Sequence, residues 1–251
     1  MRPLLLTHLL GATVLCGAVS GASAFAGEHE AQLRPVNMPP SADLHYTLKA
    51  RQKGLSLSGE ALVSWRVGEG KYSLVAETKA QLFGKILDSR SEGKIDNYGI
   101  APDLFVEKRM RKEATTATFD RAAKTLSFNA GKDTYPLLGG EQDRSSAQWQ
   151  LAALARAQPD KFTPGSEWRL FVAGRSSAQP WSFKVVNREK ITTGLGEVEA
   201  LHLVKAPPPG DKDQVIDLWL APAHDWYPVQ LRYSDEEGEF IEQTVDKISK
   251  K

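Results

Sequence analysis

The sequence predicts a mainly β protein: a long antiparallel meander, curled into a half-barrel or barrel, with one amphipathic helix packed on the open face. Apolar and polar residues alternate along most of the chain, as they do in strands with one buried and one solvated face. Gly, Pro, Asn and Asp residues separate these runs, and one stretch has helical periodicity. A sheet of about a dozen strands has to curl, because strands twist and open edges pair with other chains.

The chain begins with a predicted leader. Arg2 precedes an apolar run over residues 4–19, and small-residue cleavage motifs follow at residues 22–24 and 24–26. This is the layout of a secretory signal peptide, and the run is shorter than the ~20 apolar residues that span a bilayer. We therefore predict a signal peptide over 1–26 that is cleaved, with delivery to the periplasm.

The use of cysteine bears on where the protein is located. Cleavage would remove Cys16, the one cysteine of the chain, and an exported chain without cysteine favours a bacterial periplasm. Leu15 is not the small residue that lipidation of Cys16 needs, so we do not expect a lipoprotein.

The chain has 32 Lys and Arg against 31 Asp and Glu, and without a basic excess nucleic acid is not an expected partner. We expect a monomer.

The order of the predicted elements follows from the turn signals. Residues 27–42 contain three prolines and little apolar periodicity, which indicates a flexible tether before a single β-rich domain over 43–251. The clearest hairpin joins the runs 61–67 and 72–82 across a glycine-flanked turn. Further strand-like runs lie at about 44–50, 85–96, 104–112, 115–120, 124–128, 132–138, 167–174, 180–190, 195–206, 214–221, 226–234 and 239–248.

One helix is predicted over 145–157. Ser145 and Gln148 have the spacing of a capping box, and Pro159 ends the run. Its apolar residues repeat one and two turns apart: Ala147, Leu151 and Leu154. Trp149 is expected off this stripe, toward the helix flank. A narrow stripe needs a surface to cover, and the open face of the curved sheet is the only candidate of sufficient size.

No residue pattern typical of catalysis or metal binding stands out. The S-x-x-K match at Ser91–Lys94 falls in a strand-like segment, whereas serine enzymes need that serine at a helix start. None of the four histidines after the leader stands two or four residues from another, and the acidic turn Asp235–Glu237 lacks the alternating oxygen ligands of a calcium loop. We therefore predict a non-catalytic protein with no cofactor and no metal site.

Tryptophan and arginine are the candidate binding residues. An aromatic-lined cavity in a curved sheet would hold a lipid or other apolar ligand, and four of the six tryptophans are candidates for lining it: Trp65, Trp149, Trp181 and Trp219. The alternative is that most of them fill the core. In the basic run Lys108–Lys112, Arg109 and Arg111 would share a strand face and contact anionic lipid groups. Solvated charges that protect a hairpin edge are the alternative.

The C-terminal third carries a family resemblance. The residues concerned are Asp217–Pro222 and Trp226–Tyr233, with Gln142–Ser145, Trp149–Ala152 and Ala200–Leu203 upstream. They resemble an exported proteobacterial family catalogued as domain of unknown function 3108, although Phe119–Arg121 departs from it. The resemblance implies an exported, β-rich domain and brings no activity. A looser resemblance exists to periplasmic lipoprotein carriers, whose curved sheet holds acyl chains beneath helices.

Two functional hypotheses follow. The first is a periplasmic non-catalytic binding protein that holds a lipid or other apolar ligand. The second is a structural or adaptor protein of the cell envelope with a filled core. Its Lys108–Lys112 edge or its tail Lys247–Lys251 would contact an envelope protein or the membrane face. An unrecognised hydrolase is a third possibility, since missing motifs do not exclude new chemistry.

Overall fold

A computed structural model describes residues 29, 31–207 and 214–251. The predicted signal peptide and Cys16 lie outside the described residues. The strands, numbered in chain order, are β1 (Ala42–Gln52), β2 (Leu55–Gly68), β3 (Lys71–Ala80), β4 (Gly84–Asp96), β5 (Gly99–Arg109), β6 (Thr115–Asp120), β7 (Thr125–Phe128), β8 (Tyr135–Pro136), β9 (Gln142–Asp143), β10 (Glu167–Ala173), β11 (Ala178–Thr193), β12 (Gly196–Lys205), β13 (Val215–Ala221), β14 (Tyr227–Ser234) and β15 (Phe240–Lys250). The helix α1 is Ser146–Ala157, and short 3-10 helices follow at Pro159–Lys161 and Pro222–His224. Within these ranges no helix has both the length and the apolar character needed to cross a membrane.

All the strands belong to one sheet. It runs from β8 down to β1, continues to β15 and then descends to β9, so that β1 and β15 lie together at its centre. Every pair is antiparallel except β9 with β10. The sheet is not closed, and its form is that of a curved half-barrel. The predicted meander with one helix is therefore confirmed.

The predicted strands correspond closely to the observed ones. In the β2–β3 hairpin Gly68 pairs with Lys71, and the two turn residues between them have φ of 51° and 69°. Left-handed φ at both positions is the requirement of the tight turn that matches strand twist. Two segments differ from the prediction. The run 132–138 forms only the two residues of β8, and β9 was not predicted because a two-residue strand has no periodicity.

The helix begins differently from the prediction. Ser145 makes no side-chain capping bond and already has helical φ and ψ, so the predicted capping box with Gln148 is wrong. Asp143 performs this role instead. Its Oδ1 accepts hydrogen bonds from the backbone N–H groups of Ser145 (2.8 Å) and Ser146 (2.9 Å). A carboxylate at this position also interacts favourably with the positive end of the helix dipole.

The helix is enclosed rather than laid on a surface. Nine of its twelve residues are buried, including Trp149. Trp149 lies off the stripe of Ala147, Leu151 and Leu154 and packs in a different cluster. Leu151 and Leu154 pack in a cluster with the C-terminal half of the sheet. On its other side Trp149 packs in a second cluster with the central strands of the sheet, which come from both halves. Two sides of α1 therefore pack against the sheet, and the helix occupies its concave space.

The two ends of the sheet pack on each other. Phe105, Phe119 and Leu126, on β5 to β7, form one cluster with Phe171 and Ala173 on β10. This contact brings the hairpin tips of the two ends together as well. A side chain at Gly131 would clash with the backbone of Ser176, since a Cβ there would lie 2.0 Å from its carbonyl oxygen. The open sheet is thus brought nearly to closure by packing between its two ends rather than by hydrogen bonds.

Residues 31–41, which fall in the predicted tether, run along α1 without regular secondary structure. The backbone N–H of Asn37 donates to the carbonyl of Ala153 (3.0 Å), and Trp65 Nε1 donates to the carbonyl of Pro39 (2.9 Å). We call this segment the N-terminal strap. It covers the part of the helix that the sheet leaves open.

Antiparallel order places alternate hairpin tips at one end of the sheet, which we call the mouth. The tips concerned are those of β1–β2, β3–β4, β5–β6, β7–β8, β10–β11 and β14–β15, and the adjoining ends of β12 and β13 lie there too. The segment 144–145, which leads into α1, also lies near this end, because β9 runs parallel to β10 toward the β10–β11 tip.

Candidate anion-binding cavity

A cavity of about 380 Å³ opens at the mouth. Its wall comes from the β10–β11 tip, from the mouth ends of β12, β13 and β14, and from two arginines that other elements supply. Arg109 is the last residue of β5, and Arg144 directly precedes Ser145 and α1. The lining residues are Arg109, Arg144, Val172, Gly174, Arg175, Ser176, Ser177, Gln179, Trp181, Lys205, Gln214, Ile216 and Tyr233.

Positive charge is the main chemical feature of this wall. Four cationic residues line it, namely Arg109, Arg144, Arg175 and Lys205, and no acidic residue does so among those described. Nearby, Glu107 is buried and its Oε1 lies 2.7 Å from Nε of Arg109. The pKa of Arg175 is lowered, first because Arg109 is close and then because of burial and Arg144. Both neighbouring positive charge and burial disfavour the charged guanidinium, and Glu107 opposes them.

Lys205 and Trp181 form the inner part of the wall. Lys205 is buried, and its Nζ lies 5.5 Å from the ring centroid of Trp181, within the range of a cation–π contact. The indole Nε1 of Trp181 is buried and has no hydrogen-bond partner among the described residues. Buried N–H groups are normally paired, so this unpaired donor is an exception. Val172 and Ile216 add apolar surface.

Tyr233 also lines the same wall. Its pKa is raised, mainly by burial, while the nearby Arg144 and Arg109 act in the opposite direction. The phenol is therefore uncharged at neutral pH and can both donate and accept a hydrogen bond. Taken together, the wall offers charge, hydrogen-bond donors and an apolar side, which suits a molecule with an anionic and an apolar part.

Of the residues predicted from sequence, the structure brings Trp181 and Arg109 together in this cavity. Arg111 is not part of it. The strand β5 ends at Arg109, and Arg111 lies in the following turn with a φ of 58°. The expectation that the two arginines share a strand face is therefore wrong, because the predicted strand extended three residues too far.

The other three predicted tryptophans lie elsewhere. Trp65 and Trp149 are fully buried and stack with ring centroids 4.6 Å apart. Trp219 belongs to the same cluster, stacks on His202 at 4.3 Å and donates from Nε1 to Glu189 (2.7 Å). These three rings fill space between elements, and a ligand role for them stays a prediction.

Sequence reasoning missed Arg144, Arg175 and Lys205. They lie on separate elements and are about 30 residues apart along the chain. None of them belongs to a basic run, so no local signal groups them. Arg109 was found only because its neighbours are also basic. The family-like segment Gln142–Ser145 contains Arg144, but a resemblance without an assigned role could not single it out.

The S-x-x-K match is structural rather than chemical. Ser91 is buried in β4 and donates from Oγ to Asp143 Oδ2 (2.5 Å), while Tyr72 Oη lies 2.7 Å from the same Oγ. Lys94 is exposed. Burial raises the pKa of Asp143, and hydrogen bonds from Ser91, Ser146 and Ser145 oppose that rise. In the described ranges, no group of three or more His, Cys, Asp or Glu residues is placed to hold a metal ion.

Several solved structures are similar to this chain at low scores. A Bacteroides fragilis protein described as exported, with a YmcC-like fold, is 11% identical with a TM-score of 0.35 over 88% of this chain and 100% of its own. A Parabacteroides distasonis protein described as a lipoprotein is 11% identical with a TM-score of 0.35, over 87% of this chain and 100% of its own. A Vibrio parahaemolyticus domain described as an outer-membrane lipoprotein-sorting protein is 9% identical with a TM-score of 0.31, over 84% and 86%.

Similarity at this level supports no argument about function. No curated protein matches the sequence. The family resemblance rests on firmer ground, since the model of one protein family matches over most of the chain. Residues 43–246 match the family described as protein of unknown function DUF3108, and the chain therefore belongs to that family.

Proposed function

We propose that this protein is a non-catalytic binding protein of the periplasm, and that its mouth cavity takes the anionic group of an amphiphile such as a lipid. One observation carries the proposal: four cationic residues surround an unfilled volume beside the indole of Trp181. Glu107 pairs with Arg109, and a bound oxyanion would accept charged hydrogen bonds from Arg144 and Arg175.

The chemistry of the wall favours an oxyanion with an apolar neighbour. Arginine binds phosphate and carboxylate groups through two parallel hydrogen bonds, and Arg144 and Arg175 can approach such a group from two sides. Trp181, Val172 and Ile216 would contact the apolar part. A volume of about 380 Å³ is near the lower end of ligand cavities, which run from roughly 300 to 1,000 Å³. It suits a head group with a short apolar length rather than several acyl chains.

The periplasmic location and the absence of catalysis belong to the proposal. The leader over residues 1–26 supports export, because it has the three parts of a secretory signal. Among the described residues, the wall of the cavity contains no serine–histidine or cysteine–histidine pair, which an activated nucleophile would need. Binding without reaction is the simpler use of such a wall.

A second candidate is a structural or adaptor protein of the envelope. The observation that favours it is the filled concave face, where α1, Trp65 and Trp149 occupy the space that an acyl chain would need. In that case the cavity would bind no ligand, and a surface such as Lys108–Lys112 would contact another envelope protein.

Native mass spectrometry of protein purified from the periplasmic fraction tests the first candidate. We expect a species heavier than the polypeptide, whose added mass is that of an anionic amphiphile. The double variant Arg144→Gln, Arg175→Gln should reduce the ligand-bound fraction at least tenfold, since each charged hydrogen bond contributes about 1.5–3 kcal/mol. The control Arg188→Gln, Lys190→Gln removes equal charge from the exposed far part of β11 and should leave it unchanged.

The opposite results would reject the proposal. A wild-type spectrum with the polypeptide mass alone, unchanged after incubation with envelope lipids, would leave the cavity without a ligand. If crosslinking in cells then recovered one specific envelope protein, the adaptor function would replace the binding function.

A further inference from the structure

Three neighbouring hairpin tips at the mouth expose large apolar side chains. These tips are β1–β2 (residues 53–55), β3–β4 (81–83) and β5–β6 (110–112), and they are consecutive because β1 to β6 are adjacent in the sheet. Leu82 is 78% and Phe83 51% exposed, and Leu55 and Met110 are exposed as well. We call these three tips the apolar rim.

The turn geometry does not require these residues. In the β3–β4 tip the left-handed φ of 67° belongs to Gly84, so Leu82 and Phe83 are not needed to form the turn. Hairpin tips usually carry polar or small residues, and two adjacent large apolar side chains in water lower solubility. Apolar side chains that cluster on neighbouring tips indicate a surface that contacts something apolar.

The charges on the rim indicate what kind of apolar surface it contacts. Lys53, Arg111 and Lys112 are exposed beside the apolar side chains, against one exposed acidic residue in the same loops, Glu113. On the other side of the β1–β2 tip, the β14–β15 tip is acidic and contains Asp235–Glu237. An anionic surface would therefore attract one side of the mouth and repel the other, which gives the protein a defined orientation. Apolar residues that are flanked by Lys and Arg are typical of segments that lie on anionic lipid membranes.

We propose that the apolar rim docks the mouth of the protein on an anionic lipid surface. Leu82 and Phe83 enter the boundary between head groups and acyl chains, while Lys53, Arg111 and Lys112 contact lipid phosphates. A second copy of the chain would bind less well, because two rims in contact would place positive charges against positive charges. Arg109, in the cavity wall, adjoins Met110 of the rim, so docking turns the cavity entrance toward the bilayer. This proposal does not depend on what the cavity binds.

Site-specific fluorescent labels test the docking. The experiment uses protein purified from the periplasmic fraction of cells that express the full chain with Cys16→Ser, the one native cysteine. Phe83→Cys carries an environment-sensitive dye, and Leu33→Cys is the matched control. Leu33 is 68% exposed and belongs to the N-terminal strap. Its neighbour Arg34 lies over Trp168 near the start of β10, at the end away from the mouth.

With vesicles of phosphatidylcholine and phosphatidylglycerol, the label at position 83 should brighten several-fold and shift to the blue. Vesicles of phosphatidylcholine alone should give a much smaller change, and the label at position 33 should not respond to either. No response at position 83, or equal responses at both positions, would overturn the proposal. So would a response at position 83 that grows with protein concentration in the absence of vesicles, since that would indicate a second copy.

Sedimentation with the same vesicles provides a second measurement on unlabelled protein. The variant Leu82→Ser, Phe83→Ser should lower the bound fraction at least tenfold. The control Val75→Ser, Val186→Ser changes two exposed apolar residues on the sheet surface and should not lower it. Equal loss in both variants would overturn the proposal. The cavity variant Arg144→Gln, Arg175→Gln should still sediment, which separates a failure of the rim from a failure of the cavity.

Discussion

Trp149 and Trp181 are both buried, and the indole N–H of each lacks a hydrogen-bond partner among the described residues. Their surroundings differ. Trp149 stacks on Trp65 at 4.6 Å and meets the edge of Tyr227 at 6.0 Å, in a cluster of packed apolar side chains. Trp181 borders a cavity of about 380 Å³ with four cationic residues in its wall. Burial and an unpaired donor are thus common to a core residue and a candidate binding residue.

What separates the two regions is unfilled volume together with like charge. Packing dense enough to exclude water can leave an N–H unpaired, because the apolar contacts of a large ring outweigh one lost hydrogen bond. This describes Trp149. Near Trp181 the space is open and polar, and four cationic residues line it, with Glu107 beside Arg109. Apolar packing does not fill this space, and the proposed ligand would.

Truncation of the two rings should show the difference most strongly. We expect Trp149→Ala to lower the free energy of unfolding by about 3–5 kcal/mol, because it leaves a large hole between α1 and β2. Trp181→Ala should lower it by less than half as much, since the ring already borders open space. Urea unfolding of the two variants measures both values. Equal losses would mean that the two tryptophans have the same structural role.

Substitution of Asp143, in the packed region, should have a smaller effect on the free energy of unfolding. Asp143→Ala should lower the free energy of unfolding by about 1–3 kcal/mol, because Ser91 and the first N–H groups of α1 lose their acceptor. Burial raises the pKa of Asp143 in the folded protein. Its stabilising contribution is therefore fully present below the unfolded pKa of about 3.9 and declines as the pH rises through the folded pKa. The loss in Asp143→Ala should accordingly be larger at pH 4 than at pH 8.

Asp43 is the matched control, because its pH dependence has the opposite sign. Burial tends to raise the pKa of Asp43, but hydrogen bonds from Lys251, Arg66 and Ser64 lower it well below its usual value. Its contribution is present above about 3.9 and is lost as the pH falls below that value. The cost of Asp43→Ala should therefore shrink in acid. Urea unfolding across pH checks both variants, and parallel curves would contradict the assignment.

The strands could be predicted from sequence because their signal is local. Alternation along β1 and the two left-handed residues of the β2–β3 turn are readable without any tertiary contact. The start of α1 could not be predicted, since its cap is Asp143, which lies outside the helix in a two-residue strand. The full burial of Trp149 could not be predicted either, because burial of a helix on two sides depends on how far the sheet curls.

The cavity was even less accessible to sequence reasoning. Arg144, Arg175 and Lys205 meet only because the meander brings the ends of β9, β10 and β12 to one mouth. A residue is recognised from sequence when its neighbours along the chain share its chemistry, as those of Arg109 do. A site assembled from single residues on separate strands has no such local pattern.

Calorimetric titration with dodecyl phosphate, kept below its micelle concentration, measures whether the cavity binds an anionic amphiphile. We expect saturable binding of one molecule per chain, weakened at least tenfold in Arg144→Gln, Arg175→Gln, with much weaker binding of inorganic phosphate and of the neutral dodecyl maltoside. Equal affinity for dodecyl phosphate and dodecyl maltoside, or an unchanged affinity in the double variant, would show that the cavity is not an anion-binding site.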